Sequence, residues 1–235
     1  MPLLTIIVPA FNEESTIEKV LKRIEAAPLP SNFKKEILIV NDGSTDTTGK
    51  IINKFHKRAR ILHQKNTGKG GAVRSAFLIS NGDFVIVQDA DLEQDPEDFI
   101  LLLQPIIDGD VDVVFGSRFM GQYKPSNLTM WFHMQINNFY SLLVNAVIGY
   151  KTTDVWTGYK MFSRSALDAV LPHLQSNGIE FELEIAILLG KSGMRVKDIP
   201  INYIPRWYKD GKKTNLIDAL RSLWKLFGFA LRRID

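Results

Sequence analysis

The sequence predicts an α/β protein: a mostly parallel sheet flanked by helices, with a helical C-terminal elaboration. Three observations predict it. Short apolar runs rich in β-branched residues recur through the first half, as strands buried on both faces require. Stretches with helical spacing separate those runs. Polar segments follow the strands, at Pro9 to Glu13, Asn41 to Asp46, Asp89 to Glu93 and Gly116 to Arg118. In open parallel sheets, ligands collect beyond those carboxyl ends.

Taken in order, "LLTIIV" is a buried strand. Ile17, Val20, Leu21 and Ile24 then follow helical spacing, with Asn12 as the expected N-cap. "EILIV" is the second strand and ends in "NDGSTD"; "KIINKF" begins the next helix. "RILHQ" and "DFVIVQD" are strands on either side of the helical "GGAVRSAFLIS". A helix starts near Pro96, with Asp95 as cap, a proline first and Glu97 and Asp98 in an acidic first turn. "VDVVFGS" closes this half. Beyond about Gly121 come an aromatic, Met-rich helix ("NLTMWFHMQINNFYSLLVNAVIGY"), a short strand and helix ("TGYKMFSRSAL") and another helix ("GIEFELEIAILLG"). A strand ("RVKDIPINYI"), a basic loop ("PRWYKDGKKTN") and an amphipathic helix end the chain. No repeat or low-complexity linker divides it, so residues 1–235 read as one domain.

Composition excludes several classes. A net charge of +3, from 29 basic against 26 acidic residues, is too mild to argue by itself for a nucleic-acid binder, and no nucleic-acid partner is expected. With no cysteine, any metal must take oxygen or imidazole ligands. His56, His63, His133 and His173 show no ligand spacing, and Met120, Met130 and Met134 suit packing or lipid contact. Met1-Pro2 runs straight into "LLTIIVPA", so no leader is expected, and "FYSLLVNAVIGY" and "LWKLFGFAL" are too short or interrupted to span a bilayer. The expected chain is soluble or lies on a membrane.

"VIVQDADLEQDPEDF" places Asp89, Asp91 and Glu93 close together with no Lys or Arg among them. Such carboxylates repel unless a positive charge sits between them. If strand alternation continues, Asp89 and Asp91 project to one side, a hard oxygen set suited to Mg²⁺ or Mn²⁺. A solvated acidic turn would account for Asp95 to Asp98 but not for Asp89 or Asp91. Two glycine-rich stretches fail as phosphate loops. "GSTDTTGKI" has one residue too many between Gly43 and Gly49 and Ile51 where a hydroxyl is needed, and "GKGGAV" has Val73 at the third glycine position. Glu182 and Glu184 lie on a helical pattern, with one expected at the site and the other in solvent.

The combination of motifs is more specific. "VPAFNEE", "VNDGSTD", "NTGKGGAVR", "QDADLEQDPE", "FGSRF", "TDVWTGYKMFSR", "FELEI", "DIPINYIPR" and "DGKK" occur in an order and spacing that resembles family-2 glycosyltransferases with the GT-A (Rossmann-like) fold. Within that family the chain is similar to the dolichyl- or polyprenyl-phosphate mannose and glucose synthases, over nearly its whole length.

The resemblance implies a nucleotide-sugar-binding half over 1–120 and an acceptor-binding half over 121–235. Pro9, Phe11 and Glu13 would border the nucleoside, with the Phe11 ring against the base and Val40 among the nucleotide-binding positions. Asp42 would accept a hydrogen bond from the base, and Lys69 would lie near the phosphates. Asp89 and Asp91 would hold the metal, with Ala90 at the nucleotide by its backbone. Glu93, where many relatives have Gln, would be a third ligand. Arg118, Arg206 and Lys212 match phosphate-binding positions. Asp91, Asp154 and Arg118 would form the catalytic set, with Asp154 near the reacting centre.

The expected reaction is metal-dependent, inverting hexosyl transfer from a UDP- or GDP-linked donor to a polyprenyl phosphate. Rival readings are a same-fold enzyme acting on a saccharide or lipid hydroxyl, and a non-catalytic nucleotide-sugar-binding protein. A nucleotidyltransferase would carry a glycine-rich basic loop after the first strand, where "VPAFNEE" is acidic. A hydroxyl acceptor needs a general base, whereas a phosphomonoester with second pKa ~6 is already largely dianionic at neutral pH. On a helical projection of "NLIDALRSLWKLFGFALRRID", Leu216, Ile217, Leu220, Leu223, Trp224, Leu226, Phe227 and Leu231 share one side. Arg221, Lys225 and Arg232 lie opposite, and only Phe229 breaks the pattern. Such a helix lies in a membrane interface or packs on the protein's own core. The reading favours the membrane and places the chain in the cytoplasm, peripherally on a membrane's cytoplasmic face.

Overall fold

In the computed structural model the described residues are 1–120, 125, 127–205 and 216–233, with 216–221 described as backbone only. β1 (Leu3–Ala10) and β2 (Lys34–Asp42) show why the strands read as continuously apolar. Leu4, Ile6 and Val8 face one core and Ile7 the other; Ile37 and Ile39 oppose Leu38 and Val40 in the same way. Alternating side chains meet apolar neighbours on both faces.

The seven strands run in the order β3-β2-β1-β4-β6-β5-β7, with β3 at Arg60–Gln64, β4 at Phe84–Val87, β5 at Val113–Ser117, β6 at Lys160–Ser163 and β7 at Val196–Pro200. All neighbours pair in parallel except β6, which is antiparallel to both β4 and β5. The expected mostly parallel sheet is therefore present. α1 (Ile17–Ala26), α2 (Thr48–Asn53) and α4 (Phe99–Ile107) cover one face. α3 (Lys69–Ile79), α5 (Leu128–Asn145), α6 (Arg164–Val170), α7 (Phe181–Lys191) and α8 (Leu216–Leu231) cover the other. Because β6 runs against its neighbours, it begins where they end. The segment leading into it is thus delivered to the carboxyl edge of the sheet.

Asp95 caps as expected, accepting from the Glu97 N–H at 3.1 Å with Pro96 following. Asn12 does not cap α1. It adopts φ +54°, which asparagine tolerates better than most residues, and its Oδ1 accepts from the Thr45 N–H at 2.8 Å. It ties the loop after β1 to the loop after β2.

The apolar arc of α8 is divided. Leu226 is buried, and Leu223 packs on the same core together with Phe229, the expected exception. Trp224, Phe227 and Leu231 remain exposed, at 83%, 55% and 83%. Lys225 and Arg232, expected on a free polar face, pair with Glu180 and Glu184. α5 likewise exposes Leu128, Trp131, Phe132, Phe139 and Leu142 along one stripe while burying Tyr140 and Val144. Among the described residues, no helix is long and apolar enough to cross a membrane.

Candidate active site

The site lies along the carboxyl edge of the sheet. Near β2, the buried Asp42 accepts from the N–H groups of Thr67 (3.0 Å) and Gly68 (2.9 Å), from the Thr67 hydroxyl and from Gln64 Nε2. Its carboxylate therefore anchors the loop that leads into α3. Pro9, Phe11 and Glu13 are half-buried beside it, at the end of β1. Val40 is fully buried in the core, so it can meet a ligand only by its backbone, and the same holds for Ala90 at 4% exposure.

The glycines of "GKGGAV" have a packing reason. A Cβ at Gly70 would come within 2.6 Å of the Ser176 carbonyl oxygen and 2.7 Å of Phe181 Cβ. The start of α3 is pressed against the segment before α7, which holds Lys69 over the centre of the site.

β4 ends at Val87, so strand alternation does not reach Asp89 and Asp91. The chain turns instead, with Leu92 at φ +65°. Buried Gln94 organises the turn: its Oε1 accepts from the Asp89 N–H at 3.0 Å, and its Nε2 donates to Asp89 Oδ2 at 3.3 Å. Asp91 Oδ1 accepts from the Glu93 N–H at 3.1 Å, and Glu93 Oε2 accepts from the Tyr203 hydroxyl at 2.7 Å. Lys69 Nζ lies 2.8 Å from Asp89 Oδ1 and 3.2 Å from Glu182 Oε1. The acidic cluster, which has no Lys or Arg within its own stretch of sequence, thus does have a basic side-chain partner. It comes from another helix, where sequence proximity does not show it. Burial opposes the charge on Lys69, but Asp89 and Glu182 outweigh it and raise the ammonium's pKa above its ordinary value.

Among the described residues, no three His, Asp or Glu side chains converge as a metal cage. The residues fit another kind of site. Asp89 and Asp91 present hard oxygens on a partly exposed loop. Mg²⁺ usually binds through one or two carboxylates and fills its shell with substrate phosphates and water. Glu93, held by Tyr203, fits less well as a ligand.

On the far side of β4, Arg118 follows β5. Its Nε and Nη2 each donate to Asp154 at 2.7 Å, and its backbone N–H donates to Asp154 Oδ2 at 3.1 Å. Burial works against the guanidinium's charge, but Asp154 more than compensates and raises its pKa. The Tyr203 ring centroid lies 5.4 Å from Arg118 Cζ, within cation–π reach. Asp154 is fully buried and its loop is held from below. Asp198 Oδ2 accepts from the Thr153 N–H and hydroxyl, both at 2.6 Å, and from the Thr152 hydroxyl at 3.2 Å. Arg206 and Lys212 lie outside the described residues. Before them, the Ile204 N–H donates to the Glu93 carbonyl at 2.9 Å, and Asn202 is held by Asp98.

Neither α7 carboxylate is solvated. Glu184 is fully buried, accepting from the N–H groups of Gln175 and Ser176 and pairing with Arg232 at 2.9 Å. Glu182 is also buried, between Lys69 and Lys160. Glu182 is thus the one of the two glutamates that reaches the site, whereas Lys160, Gln94 and Tyr203 were not among the residues singled out from the sequence as site candidates. Only the two glutamates at i and i+2 on one helix hinted at them, because both cannot easily face solvent and core at once.

An open sheet with one antiparallel strand inserted near its centre, and with an Asp-x-Asp turn at its carboxyl edge, defines the GT-A glycosyltransferase fold. A crystal structure of glucosyl-3-phosphoglycerate synthase from Mycobacterium tuberculosis, in complex with Mn²⁺, UDP and glucosyl-3-phosphoglycerate, shares it. Its TM-score is 0.72 at 20% identity, over 98% of this chain and 79% of that one. The model of the family described as glycosyl transferase family 2 matches residues 5–171, and the chain belongs to that family. An uncharacterized protein of Methanocaldococcus jannaschii is 31% identical over 94% of this chain and 89% of its own. The UDP-N-acetylglucosamine–dolichyl-phosphate N-acetylglucosaminyltransferase of Methanococcus voltae is 26% identical over 99% of this chain and 98% of its own. The dolichyl-phosphate beta-glucosyltransferase of Dictyostelium discoideum is 28% identical, over 85% of this chain and 66% of its own.

Proposed function

We propose that this glycosyltransferase moves a hexose, with inversion, from a UDP- or GDP-linked donor to a polyprenyl phosphate at a membrane surface. The observation that carries the reading is the state of Asp154. It is the carboxylate beside the acceptor arginine, yet it is fully buried and committed to Arg118 through both oxygens. An enzyme that deprotonates a hydroxyl needs a free base there; one that takes a phosphate dianion does not. The names of the Methanococcus and Dictyostelium relatives point the same way.

In this reading Pro9, Phe11 and Glu13 border the nucleoside, on a floor shaped by Asp42. Lys69 faces the diphosphate. Asp91 and Asp89 would hold Mg²⁺ or Mn²⁺, which supplies positive charge against the departing nucleoside diphosphate. Arg118, with Arg206 and Lys212, orients the acceptor phosphate opposite the leaving group. A phosphate oxygen forms the new bond to the anomeric carbon as the bond to the diphosphate breaks, and no proton need move. The exposed apolar residues of α5 and α8 serve as the contact with the bilayer, on its cytoplasmic face. They suit an interfacial helix pair, with aromatics at the polar boundary.

The test is an acceptor panel. A short-chain polyprenyl phosphate should be glycosylated with one of the UDP- or GDP-sugars while the matching free alcohol is not. Equal use of the alcohol would establish hydroxyl transfer instead.

A further inference from the structure

We infer that Glu182, held in place by the buried Lys160, is a positioning residue that sets Lys69 for the donor's diphosphate. The inference rests on the nucleotide-sugar reading above and adds to it a pair of residues buried behind Lys69.

Four charges alternate in sign from the surface inwards: Asp89, Lys69, Glu182, Lys160. Lys160 is 1% exposed. It donates to Glu182 Oε2 at 2.6 Å, to the Val155 carbonyl at 3.2 Å and to the Thr157 carbonyl. A buried ion pair is a weak source of stability, since apolar residues of similar volume often serve as well or better. What hydrocarbon could not do is point a carboxylate oxygen outwards. Glu182 gives Oε2 to Lys160 and keeps Oε1 3.2 Å from Lys69 Nζ.

Lys69 needs such a fixture because an ammonium is a point charge on a flexible four-carbon stem. Asp89 alone would leave it free to swing with the mobile end of that stem. Two carboxylates on different elements fix its position. Gly158 narrows the space further: a Cβ there would come within 2.5 Å of both Asp89 Oδ2 and Lys69 Nζ. The backbone of the Asp154–Lys160 segment therefore closes over the ion pair. An ammonium has three N–H donors, so a phosphate oxygen can join the two carboxylates without displacing both. Removing the Glu182 charge would leave Lys69 and Lys160 facing each other without the anion between them.

The experiment compares Glu182→Gln with the double variant Glu182→Gln/Lys160→Met. Binding of UDP and uridine, and of GDP and guanosine, is measured calorimetrically in Mg²⁺ and again in EDTA, alongside thermal unfolding. Glu182→Gln should lose stability and bind the nucleoside diphosphate roughly tenfold more weakly, the loss of one well-placed charge-assisted contact. Nucleoside affinity should not change, and the diphosphate loss should persist in EDTA. The double variant removes the uncompensated buried charge, so its stability should recover while the diphosphate defect stays. If instead the double variant binds the diphosphate as tightly as wild type, or if nucleoside and diphosphate weaken alike, the pair is packing and the inference falls. A wild type that binds neither UDP nor GDP overturns the nucleotide-sugar reading, and this inference with it.

Discussion

Two ion pairs flank the carboxyl end of β4, and they are built differently. Lys69 and Asp89 meet through a flexible ammonium, with side chains 28% and 23% exposed. Arg118 and Asp154 meet through a planar fork, with the acid fully buried and held by two side-chain bonds and one backbone bond. An ammonium holds its partners as a point charge; a bidentate guanidinium on a fully buried carboxylate is fixed by the geometry of the fork itself. Lys69 therefore depends on its two carboxylate neighbours, Asp89 and Glu182, for its position, whereas the fork of Arg118 fixes its own.

The comparison can be broken most severely at the donor side by chemistry and at the acceptor side by folding. Asp91→Asn should abolish turnover while leaving thermal unfolding near wild type, because Asp91 lies on a partly exposed turn. EDTA should inactivate the wild type until Mg²⁺ or Mn²⁺ is restored. Full activity in chelator, with metal removal verified, would sink the metal reading. Asp154→Ala removes a fully buried carboxylate from the partly exposed Arg118 guanidinium and should cost more in urea unfolding than the ~1 kcal/mol of an exposed pair. An Asp154→Ala variant as stable as wild type would show that the pair is not fixed in the way described.

Lys69→Met sharpens the contrast. Its pair with Asp89 is partly exposed and the buried Glu182 keeps Lys160, so unfolding should shift by no more than about 1 kcal/mol, while donor KM rises or kcat falls. The same logic separates the two sides of α8. Trp224→Glu with Phe227→Glu should reduce sedimentation with anionic liposomes without loss of stability, whereas Leu226→Ala should destabilise by roughly 2–5 kcal/mol as a core truncation. Liposome binding that is unchanged in the first variant would remove α8 from the membrane contact.

The smallest expected effect concerns Asp198 beneath the Arg118–Asp154 pair. Burial raises its carboxyl pKa, against the hydrogen bonds from Thr153 and Thr152 that lower it. A folded pKa above the unfolded one means the native state keeps the proton longer. Stability from this group is present at low pH and falls as pH rises from about 3.9, the ordinary value, through the folded one. Asp198→Asn should flatten that part of the profile, so the variant gains on wild type as pH rises through the window. A difference that does not vary with pH would mean that Asp198 does not titrate abnormally.

How much was legible follows from what each feature depends on. The strands, the Asp95 cap and the turns at the carboxyl edge depend on local pattern and form there, although β4 ends at Val87, short of the expected Asp89. Asn12 was misjudged because a cap and a left-handed turn residue look alike in sequence; the choice was made by Thr45, 33 residues on. The face of α8 was misjudged in part because hydrophobic periodicity shows that a side will be buried without showing against what. Tertiary packing then divided one apolar arc between core and exterior.

The sequence by itself determined the sheet's class, the edge where the site would form and, through its motifs, the family. Those are encoded in residues that act near one another in the chain or in a fixed order along it. Only the tertiary structure decided which charges meet. β6 enters the sheet against its neighbours, and that reversal carries Lys160 beneath the turn that bears Asp89 and sets the Asp154 loop beside Arg118. Electrostatic partnership acts over a few ångströms of space, and those ångströms are set by strand order and direction rather than by separation along the chain.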